Sequence, residues 1–508
     1  MTTQLNTSLS KSRYILGLQC PKALWLATYQ PELKDEVSDF QEAVFQSGTD
    51  VGLLARDLFP GGVEIPYDGL THTEQLIRTR QALADGVTSI YEAAFSHDGV
   101  FVKVDLLHRG EQGWELHEVK GSTKLKDIYR HDIAVQYHVV TGAGVPLTYA
   151  GLVHINNQYV RRGAIQVEEL FARQDLTAET MDRQEEVRER VGGLRQMLAG
   201  DMPEIAIGPH CSDPYDCAFS GHCWAAVPSP SVFDLRSYGK PDPFPFYEEG
   251  LIRFDELPLD RLGWRQRQQV EAHLGQQLLV DQAAVREFLG TLSYPLSFLD
   301  FETTYMTPVP LFDGTRPYQQ VPFQYSLHVI REEGGEVEHY AWLAAADDDN
   351  PAAGLGATLL ADLPGEGTIL TWNMVFEKRI LGELAIHCPD YTSAIGAIIE
   401  RITDLIIPFR RRAVYHWQMH GSASLKAVLP ALIPELSYDD LEIADGGSAA
   451  SAWLGMRESD DAVDRETIRR DLHRYCALDT LAMVRILEWL RERVGDDFRQ
   501  DGVWNASD

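Results

Sequence analysis

The sequence predicts an α/β protein of two domains, and three observations carry that expectation. The chain is 508 residues long, more than one hydrophobic core of ordinary size serves. A strand–turn–strand pattern, GVFVKVDLLHRGEQGWELHEVK, lies within the first half. From about residue 293 to 498, β-branched runs alternate with segments of helical period, as in a mixed sheet covered by helices.

Composition narrows the class. A hydrophobic share of 44% and a charged share of 24% belong to an ordinary globular chain. No apolar run reaches the ~18–20 residues a membrane helix needs. The start, MTTQLNTSLSKSRY, lacks a secretory signal's apolar segment, so a cytoplasmic location without a membrane partner is expected. The net charge of −31 argues against a passive nucleic-acid coat, which would be basic. It leaves open enzymes that gather carboxylates around cations. The run Arg410, Arg411 and Arg412 reads as a solvated surface patch.

Residues 1–224 form the expected first domain. The Pro-rich stretch AVPSPSVFDLRSYGKPDPFPFYEEG opens a connector that continues as one or two helices to residue 292. Residues 293–498 form the second domain, and 499–508 a tail.

Six cysteines are unevenly spread. Cys211, Cys217 and Cys223 follow a C-x5-C-x5-C pattern among turn residues and read as metal ligands delivered by loops. Three thiolates need a fourth donor. Cys20 is the natural candidate, with His210 and His222 as rivals. Four thiolates suit zinc or an iron–sulfur cluster, and the wide spacing favours the cluster. Cys388 and Cys476 read as core residues.

In the strand–turn–strand, Asp105 lies on the first strand. Glu118 and Lys120 are two apart on the second and share a face. Two carboxylates there could hold a divalent cation, while the lysine orients a water or stabilises charge building on a phosphate.

SFLDFETTY sets Asp300 and Glu302 on one face of an apolar strand. Adjacent buried carboxylates raise each other's pKa unless a cation sits between them. TILTWNMVFEKRIL passes from strand to helix and presents Asn373 and Glu377 at the junction. In RRDLHRYCALDTLAMVRILEWL, Tyr475 and Asp479 are i and i+4 on one helical face.

These motifs resemble two nuclease families. Asp105 with Glu118-Val119-Lys120 resembles the PD-(D/E)XK core. One cysteine before that core and three after it resemble its iron–sulfur branch, which includes the RecB-like exonucleases of CRISPR adaptation and the AddB-type helicase–nucleases. The resemblance implies a restriction-endonuclease-like fold stapled by a 4Fe-4S cluster on Cys20, Cys211, Cys217 and Cys223, with zinc as the alternative. Gln136 and Tyr137 look like the branch's Gln-Tyr motif, although position 140 is Val140 and the usual Q-x3-Y spacing is not met. Gly52 stands where relatives often have a metal-binding His nearby, and Glu92 offers a further acid.

The second half is similar to the DnaQ-like (DEDD) exonucleases of RNase H-like fold, in their tyrosine-bearing form. This implies an acidic tetrad of Asp300, Glu302, Glu377 and Asp479, with Tyr475 positioning the attacking water. Glu377 departs from the usual Asp, and Asp404 in RITDLIIPF is its rival or a supporting residue. His416, His420, Ser422 and Lys426 are candidates for touching nucleic acid. Over nearly its full length the chain is similar to a bacterial family fusing both nuclease types. The expectation is a Mg2+- or Mn2+-dependent nuclease acting on DNA with a single-stranded end, with 3′–5′ exonuclease activity from the second domain and a second nuclease site in the first, in DNA repair or anti-phage defence. The alternatives are an active second domain beside a nucleic-acid-binding cluster domain, or a non-catalytic scaffold.

Overall fold

The structure is a computed structural model that describes residues 8–236, 242–305, 307–438 and 441–495. The expected tail, 499–508, and part of the connector lie outside them. The protein is mixed α/β and divides into two compact units, Met1–Ala226 with Met306–Tyr318, and Val227–Tyr305 with Gln319–Asp508. This division differs from the sequence expectation in two places. The connector belongs to the second unit, where Val232, Leu235, Phe254, Leu257, Leu262 and Val270 form a small core of its own. The segment after the acidic strand belongs to the first unit, where Arg161 donates to the Pro310 and Leu311 carbonyls at 3.0 and 2.7 Å. Among the described residues, no helix is long and apolar enough to cross a membrane.

The first unit is built on a seven-stranded sheet. Its strands are β1 (Leu9–Ser10), β2 (Val63–Glu64), β3 (Ser89–His97), β4 (Val100–Arg109), β5 (Trp114–Lys120), β6 (Leu147–Ile155) and β7 (Phe171–Asp175). The order is β2-β3-β4-β5-β6-β7, with β1 pairing parallel to β4 at Val100 and Phe101. The expected hairpin is β4–β5, paired antiparallel from Arg109↔Trp114 to Leu106↔His117. Helices α1 (Lys11–Gln19), α2 (Pro21–Tyr29), α3 (Asp39–Ala55), α4 (His72–Ala84) and α5 (Asp127–Gly142) surround it. Alternation along β5 assigns its faces. Leu116 packs with Ile133 and Val140 of α5, whereas Val119 packs with Val51 and Ala55 of α3. Glu118 therefore points to the α5 side.

The second unit holds a five-stranded mixed sheet and a two-stranded one, β8 (Leu278–Val280) with β14 (Val414–His416). The larger sheet comprises β9 (Leu296–Thr303), β10 (Pro322–Ile330), β11 (Val337–Leu343), β12 (Thr368–Thr371) and β13 (Ile402–Asp404). The order is β11-β10-β9-β12-β13, with β10 antiparallel to both neighbours and β9, β12 and β13 parallel. Leu296 and Phe298 of β9 pack toward the C-terminal helix Ala462–Val494, while Leu299 and Phe301 face the helices on the other side. Asp300 and Glu302 continue the even-numbered face and so look toward the C-terminal helix. That helix is pinned to β10. Gln324 donates to the Leu472 carbonyl at 3.0 Å, and Ser326 and His328 meet Thr480 at 2.7 and 2.8 Å. These bonds fix its rotation, so Tyr475, Cys476 and Asp479 face the sheet.

Candidate metal centre and its neighbours

The acids of the second unit collect at the carboxyl ends of three parallel strands, the usual crevice of an open α/β sheet. The β9–β12 ladder runs from Leu296↔Thr368 to Phe298↔Leu370 and stops before Asp300. Beyond that point lies a cavity of about 330 Å³ lined by Asp300, Glu302, Tyr475, Asp479, Phe376 and Gly446. One ligand atom each of Asp300, Glu302 and Cys476 lies within 4.8 Å of the other two. Cys476 is fully buried, as expected of a core residue, but its neighbours are carboxylates.

Burial first, then Asp479, Glu302 and Glu377, hold Asp300 well above the usual carboxylate range. Burial and then Asp479 do the same to Glu302, against the pull of Lys426. Asp479 is pushed up to about 6 by burial, restrained by a hydrogen bond from Tyr438, the Lys426 charge and a hydrogen bond from Tyr475. Glu377 is pushed up to about 8 by burial, and Asp404 adds to the shift. One oxygen each of Glu377 and Asp404 is buried with no hydrogen-bond partner among the described residues. Such a set fits a divalent cation, which favours several oxygen donors and whose charge would relieve the repulsion.

Glu377 sits in the first turn of the helix Met374–His387, with Asn373 as its N-cap. Asp404 accepts the Met374 and Ile406 N–H groups, so it anchors the start of the helix that carries Glu377. Arg410 lies 3.7 Å from Asp404. Two residues complete the site that sequence reasoning did not assign to it. Tyr438 donates to Asp479, and Asp445 caps the helix Gly446–Glu458 beside Glu302. A Cβ at Gly446 would come 3.5 Å from the Glu302 carboxylate. Lys426 lies 5.7 and 5.6 Å from the ring centres of Tyr438 and Tyr475. No local motif marks Tyr438, because the fold alone carries it across from a remote loop.

In the first unit, Asp105, Glu118 and Lys120 also come together. The β4–β5 ladder ends at Leu106↔His117, and the Asp105 carboxylate takes over the Val119 N–H at 2.7 Å. Opposite it, Glu92 adopts a left-handed backbone (φ 57°) and lies 3.3 Å from Lys103. Lys120 bonds Glu118 at 2.6 Å and Asp132 at 2.7 Å. Gln136 donates to Glu118 at 2.6 Å. Tyr137 does not join them; it packs on the hydrophobic core, and Tyr129 lies near Lys120 instead.

Lys11 and Asp132 are additions that sequence reasoning does not make. Lys11 donates to both Glu118 oxygens at 2.9 and 3.1 Å. Burial alone would raise Glu118, but the two ammonium groups overcome it and hold that carboxyl well below its usual range. Asp105 is pushed up to about 7 by burial and then by Glu118. Asp132 sits four residues before Gln136 on α5, an i, i+4 relation legible in HDIAVQ. Lys11 has no such signal.

The four cysteines share one neighbourhood. Burial raises the Cys217 thiol, and Cys20, Cys211 and Cys223 each add to the shift. Cys20, Cys217 and Cys223 belong to a small apolar cluster with Leu26 and Phe219. Gln19, beside Cys20, donates to the His210 and Tyr215 carbonyls at 2.8 and 2.6 Å and fastens the cysteine loop to the end of α1. Four thiols gathered in one place are the donor set that a zinc ion or an iron–sulfur cluster takes. Cys388 packs at the edge of the second unit's core, as expected.

A sequence-family model described as a domain of unknown function (DUF2779) matches residues 297–424. The match takes in Asp300, Glu302, Glu377 and Asp404 and ends before Tyr475 and Asp479. No curated protein matches the chain.

Proposed function

We propose that the second unit is a metal-dependent exonuclease of the DnaQ-like, tyrosine-bearing type, shortening DNA from a single-stranded 3′ end. The observation that carries this reading is the convergence of Asp300, Glu302, Asp479 and Tyr475 on one cavity with more carboxylates than internal cations. Asp300, Glu302, Glu377 and Asp479 would hold Mg2+ or Mn2+, which supply activation of the attacking water and stabilisation of the leaving 3′ oxygen. Tyr475 orients that water from the cavity wall. Tyr438 and Tyr475 together fix the Asp479 carboxylate, and Lys426 limits the repulsion around it. Asp404 acts as a positioning residue for the helix that bears Glu377.

The first unit, in this reading, is the PD-(D/E)XK domain, with Cys20, Cys211, Cys217 and Cys223 holding a 4Fe-4S cluster that ties its ends together. Two lysines already neutralise Glu118 there. That favours nucleic-acid binding over a second cutting site unless Lys11 moves aside for a cation. An end-processing role in DNA repair or anti-phage defence follows from such a pairing.

The test uses anaerobically purified protein, 5′-labelled single-stranded DNA and Mg2+ or Mn2+, with Asp300→Ala, Lys120→Ala and the double variant. A short-step ladder lost in Asp300→Ala and retained in Lys120→Ala is expected. Residual cuts in Asp300→Ala that vanish in the double variant would make the first unit a second nuclease. Wild-type protein that leaves this DNA and a matching RNA intact would overturn the reading.

A further inference from the structure

The second unit contains another cavity, of about 460 Å³, whose wall carries Arg236, Arg265, Arg410 and Arg412 together with Trp372 and Asn373. Its volume lies in the range of small-ligand sites. Four guanidinium groups share one concave surface in a chain of net charge −31; one of them, Arg410, faces Asp404 at 3.7 Å. The sequence expectation of a solvated run at 410–412 holds for Arg410 and Arg411, which are exposed, but not for Arg412.

Arg412 is partly buried. It lies 4.2 Å from the Tyr415 ring centre and donates to the Gly421 carbonyl at 3.1 Å. It forms no ion pair among the described residues. It also occupies a left-handed backbone conformation (φ 64°), which non-glycine residues rarely adopt. Burial lowers its pKa, and the like charge of Arg265 lowers it further. An arrangement that crowds like charges is relieved by an anion. The lining is also aromatic: the Trp372 indole N–H donates to the Ala423 carbonyl at 3.0 Å, and its ring packs against Phe409 at 5.5 Å. Asn373, the N-cap beside it, makes no capping bond with its carboxamide.

We propose that this cavity binds a nucleoside phosphate, the phosphate against Arg265, Arg410 and Arg412 and the base against Trp372. Guanidinium forks match phosphate oxygens, and an aromatic wall accepts any base. The position fits the acid site, because Asn373 opens the helix bearing Glu377 and Arg410 reaches Asp404. Identifying the ligand as part of the strand being shortened rests on the exonuclease reading. The anion site itself does not.

The experiment measures anisotropy of a fluorescein-labelled oligothymidylate of about twelve nucleotides with the full chain in EDTA, so that binding is read without cleavage. Arg265→Gln with Arg410→Gln should weaken binding by roughly tenfold or more. The salt slope should fall by about 0.7, because the arginines share one phosphate and each phosphate left un-neutralised subtracts about that much. Arg412→Gln should weaken binding as well, and each variant is checked for an unchanged melting temperature. If Arg412→Gln fails to fold, quenching of tryptophan fluorescence by the unlabelled oligonucleotide, lost in Trp372→Phe, replaces it. Displacement of the probe by excess dTMP would identify a free nucleotide as sufficient; displacement by oligonucleotide alone would require the strand. Folded variants with unchanged affinity and salt slope would overturn the proposal. Binding that depends on the arginines without any Asp300-dependent cutting would leave this site standing and remove the exonuclease; cutting that ignores the arginines would do the reverse.

Discussion

Tyr475 and Asp479 stand one turn apart on the C-terminal helix, and the Tyr475 hydroxyl donates to the Asp479 carboxylate inside the cavity that Asp300 and Glu302 line. The bond holds the acid in one orientation and leaves the phenol beside the space a reacting phosphate would enter. Tyr475→Phe keeps the ring and its packing while removing one donor. We expect kcat to fall by roughly 10²–10⁴-fold with little change in KM. Asp479→Asn removes a ligand charge and should cost at least as much. Single-turnover cleavage of a labelled strand separates the two, and an unchanged rate in Tyr475→Phe would exclude a role for the phenol in the chemical step.

The surplus of carboxylates makes a prediction about stability. Asp300→Asn removes a charge that repels Glu302 and Asp479, so the cation-free variant should melt no lower than cation-free wild type. Added Mn2+ should stabilise wild type by about 2.7 kcal/mol at a hundred times its dissociation constant and leave Asp300→Asn nearly unmoved. Thermal melts with and without Mn2+ decide it; equal shifts in both proteins would place the cation elsewhere.

In the first unit the neutralising cations are built in. Lys11→Met leaves Glu118 buried with half its compensation, and breaking such a pair costs about 3–5 kcal/mol when fully buried. Because about a fifth of the Lys11 side chain is exposed, solvent screening lowers the expected loss to about 2–3 kcal/mol. Adding Glu118→Gln should recover most of it. Calorimetry of the single and double variants measures the coupling, and additive losses would mean the ion pair is incidental.

Anaerobic preparations should contain roughly four iron and four sulfide per chain if the thiols hold a 4Fe-4S cluster. Cys20→Ser and Cys217→Ser should each lose both together with the brown absorbance. Stoichiometric zinc without sulfide in wild type would replace the cluster with a structural zinc.

His328, buried on β10 against Thr480, is pushed down to about 4 by burial and then by His339. Unfolded, it titrates near 6.5. Between those values the unfolded chain binds more protons than the folded one, so stability falls as pH drops from 6.5 toward 4, by about 3 kcal/mol in all. His328→Gln should flatten that dependence in urea titrations at pH 7 and pH 5. An unchanged slope would assign the acid sensitivity to other groups.

Much of this was legible because short periods report local geometry. The i, i+2 spacing of Asp300 and Glu302, and of Glu118 and Lys120, fixed their common faces, and the i, i+4 spacing did the same for Tyr475 and Asp479. The β4–β5 hairpin and the strand-to-helix junction at Asn373 followed from turn residues and a change of period. Tyr137 lies apart from Glu118 because adjacency to Gln136 on a helix means pointing about 100° away from it, toward the core.

What the chain determined by itself was which side chains share a face within one element, since that depends on φ and ψ alone. Which faces meet was decided by tertiary structure. Lys11 reaches Glu118 across 107 residues, Tyr438 reaches Asp479 across 41, and Arg265 joins Arg412 in one cavity. None of these pairs has a local period to announce it. Their partners are set by the order of strands in each sheet and by the rotation of the helices packed on it, and those are fixed by the burial of the whole apolar surface.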